Sequence, residues 1–407
     1  MASASVDHML SLTIFIAAIL LFIAMFNNTI QTGISYQQHT AMSTKTSDLL
    51  DTLLLSSGLP INWSRSDSVP VGLGLQDPEF GQYKISSLSS MRLANGQSQT
   101  YYPRTDGYFS NFTAGYGSYL ITPNTKTLSY TTAAKQLGVN GTYGFQLTLT
   151  PTVTVSIQKT STDSPLQFAI SASGTGFVLA NANITYNLIA VNQDSNEYPS
   201  YTISSGETTT DAAGTATTKS FVGVNGESRA YALIVYARIY GLKGVGYYVH
   251  VPDESAKSVV PLVESFENRN ITLAHSDSVG SPPVPSVYSK LSYNASYAIV
   301  TEEFILRQVV LEQHTGNVTY NSGTELPYAS VEIPDNTGIL IVTYKNAASG
   351  QYGVVLMPWG LGSLGFPLTF GGNSAGYSWV TTDIRQVTID GVAYQATLSL
   401  WSLQGGS

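Results

Sequence analysis

The sequence predicts a mostly β protein with one long N-terminal α-helix, and two observations carry that prediction. Residues 9–26 form an apolar run without a charge, long enough to cross a membrane as a helix. After about residue 140, short stretches that alternate apolar and polar residues are separated by turn-forming residues, as in β-sheet proteins. The expected molecule is a helical stalk that carries β-sandwich domains.

The helix is expected to continue well past the apolar run. No Pro occurs before Pro60, and a continuous helix over residues 6–57 would be about 75 Å long at 1.5 Å per residue. Gly33 is a candidate bend. Gly58, followed by Pro60, is a strong helix stop.

A leucine face near the end of this helix has two interpretations. Its members recur at helical spacing: Leu49, Leu50, Leu53 and Leu54. The face packs either on the protein's own β domain or on the helices of neighbouring subunits, and both interpretations stay open.

Composition narrows the class of protein. Only 11% of the 407 residues are charged, the net charge is −8, and there is no cysteine. The absence of cysteine excludes disulfides, zinc–thiolate sites, iron–sulfur clusters and thiol nucleophiles. No basic run is present to follow a phosphate backbone, which argues against a nucleic-acid partner. A charge-poor, hydroxyl-rich chain of this kind suits the outside of a prokaryotic cell.

The N-terminal segment does not have the features of a cleaved secretory signal. No Lys or Arg precedes Lys45, and the helical pattern continues beyond the apolar core. We therefore expect residues 1–58 to form a transmembrane helix that is either a membrane anchor or the core of a filament. The composition of the remaining chain places that bulk outside the cell.

Residues 59–150 are expected to form the first part of a β-rich head. Short helices are predicted over residues 86–93 and 130–137, with irregular strands and turns in the Tyr- and Gly-rich segment between them. A strand is predicted over residues 145–157, interrupted at Pro151.

A cluster of tyrosines in this block has two interpretations. Its members are Tyr101, Tyr102, Tyr108, Tyr116 and Tyr119. Tyrosines in a sheet are commonly half-buried with the hydroxyl in water. The same rings could instead form a face that stacks on carbohydrate.

Residues 151–253 predict a β-sandwich, because seven short strands follow one another at regular spacing with turn signals between them. The stretch TTTDAAGTATTKSF, which contains Asp211 and Gly214, resembles a segment of bacterial immunoglobulin-like surface repeats. That resemblance implies an Ig-like module in which these two residues shape a turn before the next strand. Such modules serve as spacers or adhesion units, and the fold alone does not say which.

Residues 254–407 are expected to form a C-terminal β domain, combined with residues 59–150 into one discontinuous head. Residues 297–306 are predicted as one strand. Asp390 and Gly391, between two alternating runs, predict a tight β-hairpin.

No catalytic, cofactor or metal site is predicted. The five histidines do not show the spacing of a zinc site. The segment GLGSLG at residues 360–365 lacks the Lys–Ser/Thr of a phosphate loop and is interpreted as a turn. Glu302 and Glu303 are adjacent, so in a strand they would face opposite sides, which argues against paired acid catalysis.

Asn-X-Ser/Thr triplets are candidates for glycosylation. They begin at Asn27, within the helix, and at Asn62, Asn111, Asn140, Asn183, Asn270, Asn294 and Asn317.

Asp7, at the edge of the apolar run, is the most informative residue of the stalk. The N-terminus resembles that of archaeal type IV pilin-like surface proteins, in which a short leader is cut before an apolar helix and an acid commonly occupies the fifth mature position. A cut after Ala2 would make Ser3 the first residue and Asp7 the fifth. This chain departs from the pattern because no Lys or Arg precedes that cut. Alternatively, Asp7 is a solvated acid favoured by the helix dipole.

The resemblance extends to other segments. SSGLPINW and KQLGVNGTYGFQLTLTP resemble the head of the same proteins, as does the C-terminal region around PWG at residues 358–360. It implies assembly through the apolar helix, in which Asp7 pairs with the α-amino group of a neighbouring subunit. Phe15, Leu20 and Leu21 are expected in the packing surface.

Three functions follow as hypotheses. The first is a non-enzymatic, extracellular, pilin-like subunit of a cell-surface filament, a homo-oligomer that resides in the membrane before assembly. The second is a membrane-anchored adhesin or glycan-binding protein that contacts sugars or other cells. The third, a surface hydrolase, lacks a candidate residue.

Overall fold

The computed structural model describes residues 2–79, 81–93, 99–105, 107–113, 119–161, 164–194, 196–253, 257–279, 288–301, 303–320, 328–377 and 379–403. Its helices are α1 (Ala2–Leu55), α2 (Ser87–Met91) and α3 (Tyr130–Gln136). The 54 residues of α1 correspond to about 81 Å of helix. The predicted long helix is confirmed, and it continues through Gly33 without a break.

Both short helices of the head are also confirmed, with ends within two residues of those predicted. Each begins at a serine whose side chain accepts a hydrogen bond from a backbone N–H of the first turn. Ser86 accepts from Ser89, and Ser129 accepts from Thr132. This capping satisfies donors that the first helical turn leaves unpaired.

Strands make up most of the remaining chain, so the predicted fold class is confirmed. In chain order they are β1 (Gln99–Tyr102), β2 (Gly107–Thr113), β3 (Tyr119–Pro123), β4 (Tyr143–Pro151), β5 (Val153–Lys159), β6 (Phe168–Gly174), β7 (Phe177–Val178), β8 (Asn183–Val191), β9 (Tyr201–Thr209), β10 (Thr215–Thr217), β11 (Tyr231–Ile239), β12 (Leu242–His250), β13 (Val259–Ser265), β14 (Asn270–His275), β15 (Ser289–Val300), β16 (Leu306–Tyr320), β17 (Ala329–Glu332), β18 (Gly338–Asn346), β19 (Tyr352–Trp359), β20 (Leu368–Gly371), β21 (Val380–Ile389) and β22 (Val392–Ser402).

Strands β5 to β12 form an immunoglobulin-like sandwich. Their hydrogen-bonded order is β10-β6-β5-β12-β11-β8-β9, with β7 beside β6. All these pairs are antiparallel except β5 with β12, which is parallel. Phe168 of β6 packs edge-to-face on Tyr231 of β11, with ring centroids 5.8 Å apart. Because β6 and β11 are not neighbours along the path, this contact joins two layers around one core.

The turn before β10 has the predicted form. The carboxylate of Asp211 accepts hydrogen bonds from the backbone N–H groups of Ala213 and Thr215 and from the Thr215 hydroxyl. These bonds, led by that from the Thr215 backbone, lower the pKa of Asp211. Gly214 has a φ of 72°, which glycine adopts without strain.

Four further sheets complete the body. Their strand orders are β1-β2-β3, β13-β14-β17, β16-β15-β18-β19 and β20-β4-β22-β21. The last of these sheets joins a strand that precedes the Ig-like module to three that lie near the end of the chain. One core runs from the leucine face of α1 through this sheet to the strands β15, β18 and β19.

Three strand predictions need correction. Residues 297–306 are not one strand, because β15 ends at Val300 and a turn leads into β16; Phe304 in this turn has a φ of 62° and stacks on Tyr236 at 4.4 Å. The predicted strand over residues 145–157 is two strands, β4 and β5, which belong to different sheets. The Tyr- and Gly-rich segment, predicted as irregular strands and turns, contributes the regular antiparallel strands β2 and β3 of the sheet β1-β2-β3.

A buried arginine connects the loops of the head. Arg92 is fully buried and donates to four backbone carbonyls, those of Trp63, Ser66, Ser68 and Lys126. Burial lowers the pKa of Arg92 to about 10, so the side chain stays charged at neutral pH. The sequence alone offers no signal for this network, since each acceptor is a main-chain atom distant along the chain.

Candidate functional site

The first part of α1 projects from the head and packs on no other element that the structure describes. The side chains of residues 7–41, called the free half below, are exposed except for the half-buried Ser35. The helix from Asp7 to Leu55 contains an 18-residue window with a mean hydropathy of 2.7, which by length and composition is sufficient to cross a membrane.

The free half is apolar on every side over residues 9–26. Phe15, Leu20 and Leu21 are 62%, 60% and 63% exposed. Successive residues of an α-helix differ by about 100°, so these three side chains point in different directions. A helix that is apolar all round must be buried in lipid or among other helices. All three predicted assembly residues therefore lie on apolar surface whose exposure to water is unfavourable.

Asp7 lies just before this apolar run. Its side chain is exposed, and within the described part of the chain it forms no ion pair or hydrogen bond. A carboxylate at this position is costly in lipid or in a helix bundle unless a cation pairs with it. None of the described residues of this chain supplies a partner for Asp7.

The second part of α1, residues 42–55, is attached to the head and is called the anchored end below. Leu49, Leu50, Leu53 and Leu54 are all at most 5% exposed, and the helix packs on β21 and β22. The leucine face is therefore used within the chain. Of the two interpretations of that face, packing on the protein's own β domain is the one confirmed.

Polar contacts fix the helix on the same strands. The hydroxyls of Thr46 and Thr381 are 2.6 Å apart in a buried hydrogen bond. Arg385 of β21 donates from Nε to Oδ1 of Asp51 at 3.1 Å and from Nη2 to the Ser47 hydroxyl at 2.9 Å. The pKa of Arg385 is raised, and the hydrogen bond with Asp51 is the largest cause. Packing and directional bonds together determine how α1 sits on the sheet.

A cavity marks the place where α1 leaves the head. It has a volume of about 520 Å³ and is lined on the helix by His39 and Met42 and on the head by Tyr143 and Trp379. The rings of His39 and Trp379 meet edge-to-face with centroids 6.0 Å apart, and Trp379 is 51% exposed. The free half thus begins at a partly open junction.

A second cavity, called the tyrosine cavity below, lies between the sheets β1-β2-β3 and β13-β14-β17. Its volume is about 490 Å³, and Tyr102, Tyr108, Phe109, Lys126, Glu264 and Thr272 are among its lining residues. Tyr101 faces Tyr108 across β1 and β2, with ring centroids 5.2 Å apart. Of the predicted cluster, Tyr116 and the side chain of Tyr119 lie outside the described residues.

The glycosylation candidates differ in accessibility. Asn62, Asn140 and Asn183 are exposed, and the side chain of Asn111 lies outside the described residues. Asn270, Asn294 and Asn317 are half-buried within strands. The side-chain oxygens of Asn270 and Asn317 also accept hydrogen bonds from Ser330 and Ser292.

Groups that could carry chemistry are scattered. Within the described residues, no three His, Asp or Glu side chains come together in a way that could hold a metal ion. The GLGSLG segment forms a short 3₁₀ turn, as expected. Glu303 lies in the turn after β15 rather than in a strand, and Glu302 is outside the described residues, so the argument from strand alternation does not apply to them.

Two titratable groups are buried in ways that the sequence did not signal. Oδ2 of Asp390, in the β21–β22 turn, is buried without a hydrogen-bond partner among the described residues, and burial raises the pKa of this carboxyl to about 6. His275 is fully buried, and burial lowers its pKa to about 4. The sequence assigned Asp390 only its role in the hairpin. That role is confirmed, since Asp390 and Gly391 have φ of 48° and 77°.

Comparison with known proteins finds no match to any protein-family model, and no curated protein matches the chain. Three solved structures show a distant likeness. The first is native Escherichia coli alpha-2-macroglobulin (10% identity, 68% of this chain and 19% of that one, TM-score 0.23). The second is Salmonella alpha-2-macroglobulin reacted with methylamine (10% identity, 58% and 17%, TM-score 0.21).

The third similar structure is a tetra-tandem repeat from the extending region of a large adhesion protein (14% identity, 63% of this chain and 66% of that one, TM-score 0.21). The matched region spans less than a fifth of either macroglobulin. TM-scores this low show neither the family nor the function of this chain.

Proposed function

We propose that this chain is a non-enzymatic, extracellular structural protein, a pilin-like subunit of a cell-surface filament that assembles through its N-terminal helix. The observation that carries the proposal is the contrast within α1. The leucine face of the anchored end is buried on the chain's own sheet, whereas the free half is apolar on all sides over residues 9–26 and has no partner among the described residues.

The energetics favour a bundle of free halves. Burial of apolar surface contributes roughly 25 cal/mol per Å² removed from water, so this segment is unstable in solvent. Before assembly the membrane would hold it, and in a filament the same segments of neighbouring subunits would hold one another. The resemblance to archaeal type IV pilin-like proteins supports this order of events and an archaeal surface location.

Asp7 has a specific role in this proposal. Paired with the α-amino group of a neighbour, it would neutralise two charges inside the bundle and set the axial offset between subunits. A carboxylate left unpaired in such a bundle would cost several kcal/mol. The pairing therefore favours one register of the helices over others.

The head is proposed to be built as a discontinuous unit. Residues 59–150 and 254–407 would form one domain, and residues 151–253 would be an Ig-like insertion displayed on it. The sheet β20-β4-β22-β21 supports this division because it draws strands from both parts of the head. If the surface is glycosylated, the exposed Asn62, Asn140 and Asn183 are the best candidates, and intact-mass measurement would detect the added sugar.

The test compares Asp7→Ala with Asp48→Ala. Asp48 is an exposed acid on the same helix, in the anchored end. Electron micrographs of sheared cell-surface material should show fibres for the wild type and Asp48→Ala, and few or none for Asp7→Ala, while both heads remain folded. Abundant normal fibres from Asp7→Ala would refute the pairing role.

Fibres absent from the wild type itself would refute the filament. The second candidate function, a membrane-anchored adhesin or glycan-binding protein, would then take its place. A specific observation favours that candidate too, namely the aromatic lining of the tyrosine cavity.

A further inference from the structure

We propose that the tyrosine cavity binds a neutral saccharide. This inference concerns a ligand of the head, and it is independent of whether the subunits form filaments. The cavity's volume of about 490 Å³ lies within the range of roughly 300–1,000 Å³ that is common for small-molecule sites.

The apolar part of the lining suits the face of a sugar ring. The rings of Tyr102 on β1 and Phe109 on β2 project from the same face of their sheet and line the cavity, with centroids 6.4 Å apart. Leu262, on β13, lines the cavity as well. The C–H bonds on one face of a pyranose pack on the electron-rich face of an aromatic ring, and the ring quadrupole favours that contact.

The polar part of the lining suits sugar hydroxyls. Oε2 of Glu264 accepts a hydrogen bond from the Thr272 hydroxyl at 2.7 Å. Its other oxygen has no partner within the described residues. The carboxylate is therefore held in one orientation with an acceptor to spare, and a carboxylate of this kind can accept from a ligand O–H.

Lys126, the one cationic side chain among the described lining residues, already has partners within the protein. Nζ of Lys126 forms an ion pair with Asp67 at 3.1 Å and donates to the Glu264 carbonyl. It is thus neutralised on the protein side, and an anionic ligand would find no unpaired positive charge among the described lining residues. Burial and hydrogen bonding of this lysine favour a neutral ligand over a phosphate or a carboxylate.

A buried hydroxyl also points to a ligand or water in this region. Tyr102 is fully buried, lines the cavity, and its Oη has no hydrogen-bond partner among the described residues. An unsatisfied buried hydroxyl costs on the order of 1–3 kcal/mol. A sugar hydroxyl or a water held by one would remove that cost.

The experiment measures binding of defined disaccharides (maltose, cellobiose, mannobiose and chitobiose) to the full chain by calorimetry. The detergent must carry no sugar headgroup, for example a polyoxyethylene ether, because a glycoside detergent would compete. The expected result is saturable binding of at least one disaccharide to the wild type.

Three variants test the assignment. Phe109→Leu and Glu264→Gln should each weaken binding at least tenfold, and Tyr102→Phe should weaken it severalfold without lowering thermal stability. Tyr240→Ala is the matched control, because Tyr240 is 97% exposed in the β11–β12 turn, away from the cavity lining. It should bind as the wild type does.

Three outcomes would overturn the proposal: no disaccharide binds, binding is equal in the wild type and in Phe109→Leu and Glu264→Gln, or the chain binds choline or spermidine in preference to every sugar. The last result would assign the aromatic and acidic lining to a cationic ligand. None of these outcomes depends on fibre formation, so this proposal and the filament proposal fail separately.

Discussion

The two halves of α1 share one helix but differ in what surrounds them. In the anchored end, Leu49, Leu50, Leu53 and Leu54 form one face, and that face is buried on β21 and β22. In residues 9–26 of the free half, apolar side chains cover the whole circumference and are exposed. The distribution of apolar residues around a helix, more than their number, therefore indicates whether the helix packs on its own chain or needs lipid or another helix to bury it.

The largest expected effect comes from truncating the same residue type in each half. Leu50→Ala should lower the free energy of unfolding of the head by about 2–5 kcal/mol, because Leu50 is fully buried and its removal leaves a cavity. Leu20→Ala should change it by less than about 0.5 kcal/mol, since Leu20 is exposed in the isolated chain. Denaturant titration in detergent micelles, followed by tryptophan fluorescence, measures both.

Equal losses in the two variants would show that the free half also contributes to the stability of the head. In that case the contrast between the halves would fail.

The next prediction concerns Asp390, in the turn of the β21–β22 hairpin on which the anchored end packs. Burial raises the pKa of the Asp390 carboxyl to about 6 in the folded protein, from 3.8 for an aspartate side chain in water. The folded state therefore binds more protons between these values. Its favourable contribution is fully present below pH 3.8 and is lost as the pH rises through 6, with a slope of at most about 1.4 kcal/mol per pH unit.

Asp390→Asn removes this titration and keeps an Asn-Gly turn that tolerates positive φ. The variant should be about 1–3 kcal/mol more stable than the wild type at pH 7 and nearly equal to it at pH 3.5. His275 titrates in the opposite sense, so its contribution to stability falls as the pH drops from 6.5 through about 4. The contribution of His275 cancels when the free energies of unfolding of variant and wild type are subtracted at each pH. A difference in free energy that does not depend on pH would contradict the prediction.

The smallest effect is expected from the ion pair that holds the helix on the sheet. Arg385→Met removes the contacts to Asp51 and Ser47. These side chains are partly exposed, and solvent screens such pairs, so the loss should be about 1 kcal/mol. Arg65→Met is the control, because its pair with Asp335 is more exposed and should contribute less.

Protease cleavage within residues 42–55 should rise in Arg385→Met and not in Arg65→Met. No increase would mean that the leucine face alone holds the anchored end.

Local sequence signals predicted much of this molecule. The long helix, both helices of the head, the strands of the Ig-like module and the Asp211 and Asp390–Gly391 turns depend on residues that are neighbours in the chain. Their physical causes are periodicity, capping and positive φ, which can be recognised without tertiary structure. The apolar free half belongs to the same category.

Long-range features were not predictable in the same way. The two strands that receive the leucine face, β21 and β22, begin more than 300 residues after the end of the helix, so the sequence left two destinations for that face. Arg92 donates to main-chain carbonyls that have no residue signature. The turn that ends β15 at Val300 is set by Phe304 stacking on Tyr236 from the Ig-like module. The tyrosine cavity likewise forms only where two separate sheets meet.

The pairing of β4 with β22 sets an order of events during synthesis. Strand β22 closes the sheet between β4 and β21, and α1 packs on β21 and β22. The leucine face of α1 therefore has no complete docking surface until the ribosome has made β22, although α1 itself is made before any strand of the head. A product that stops before residue 380 would lack both strands that cover the leucine face, and this face would stay exposed.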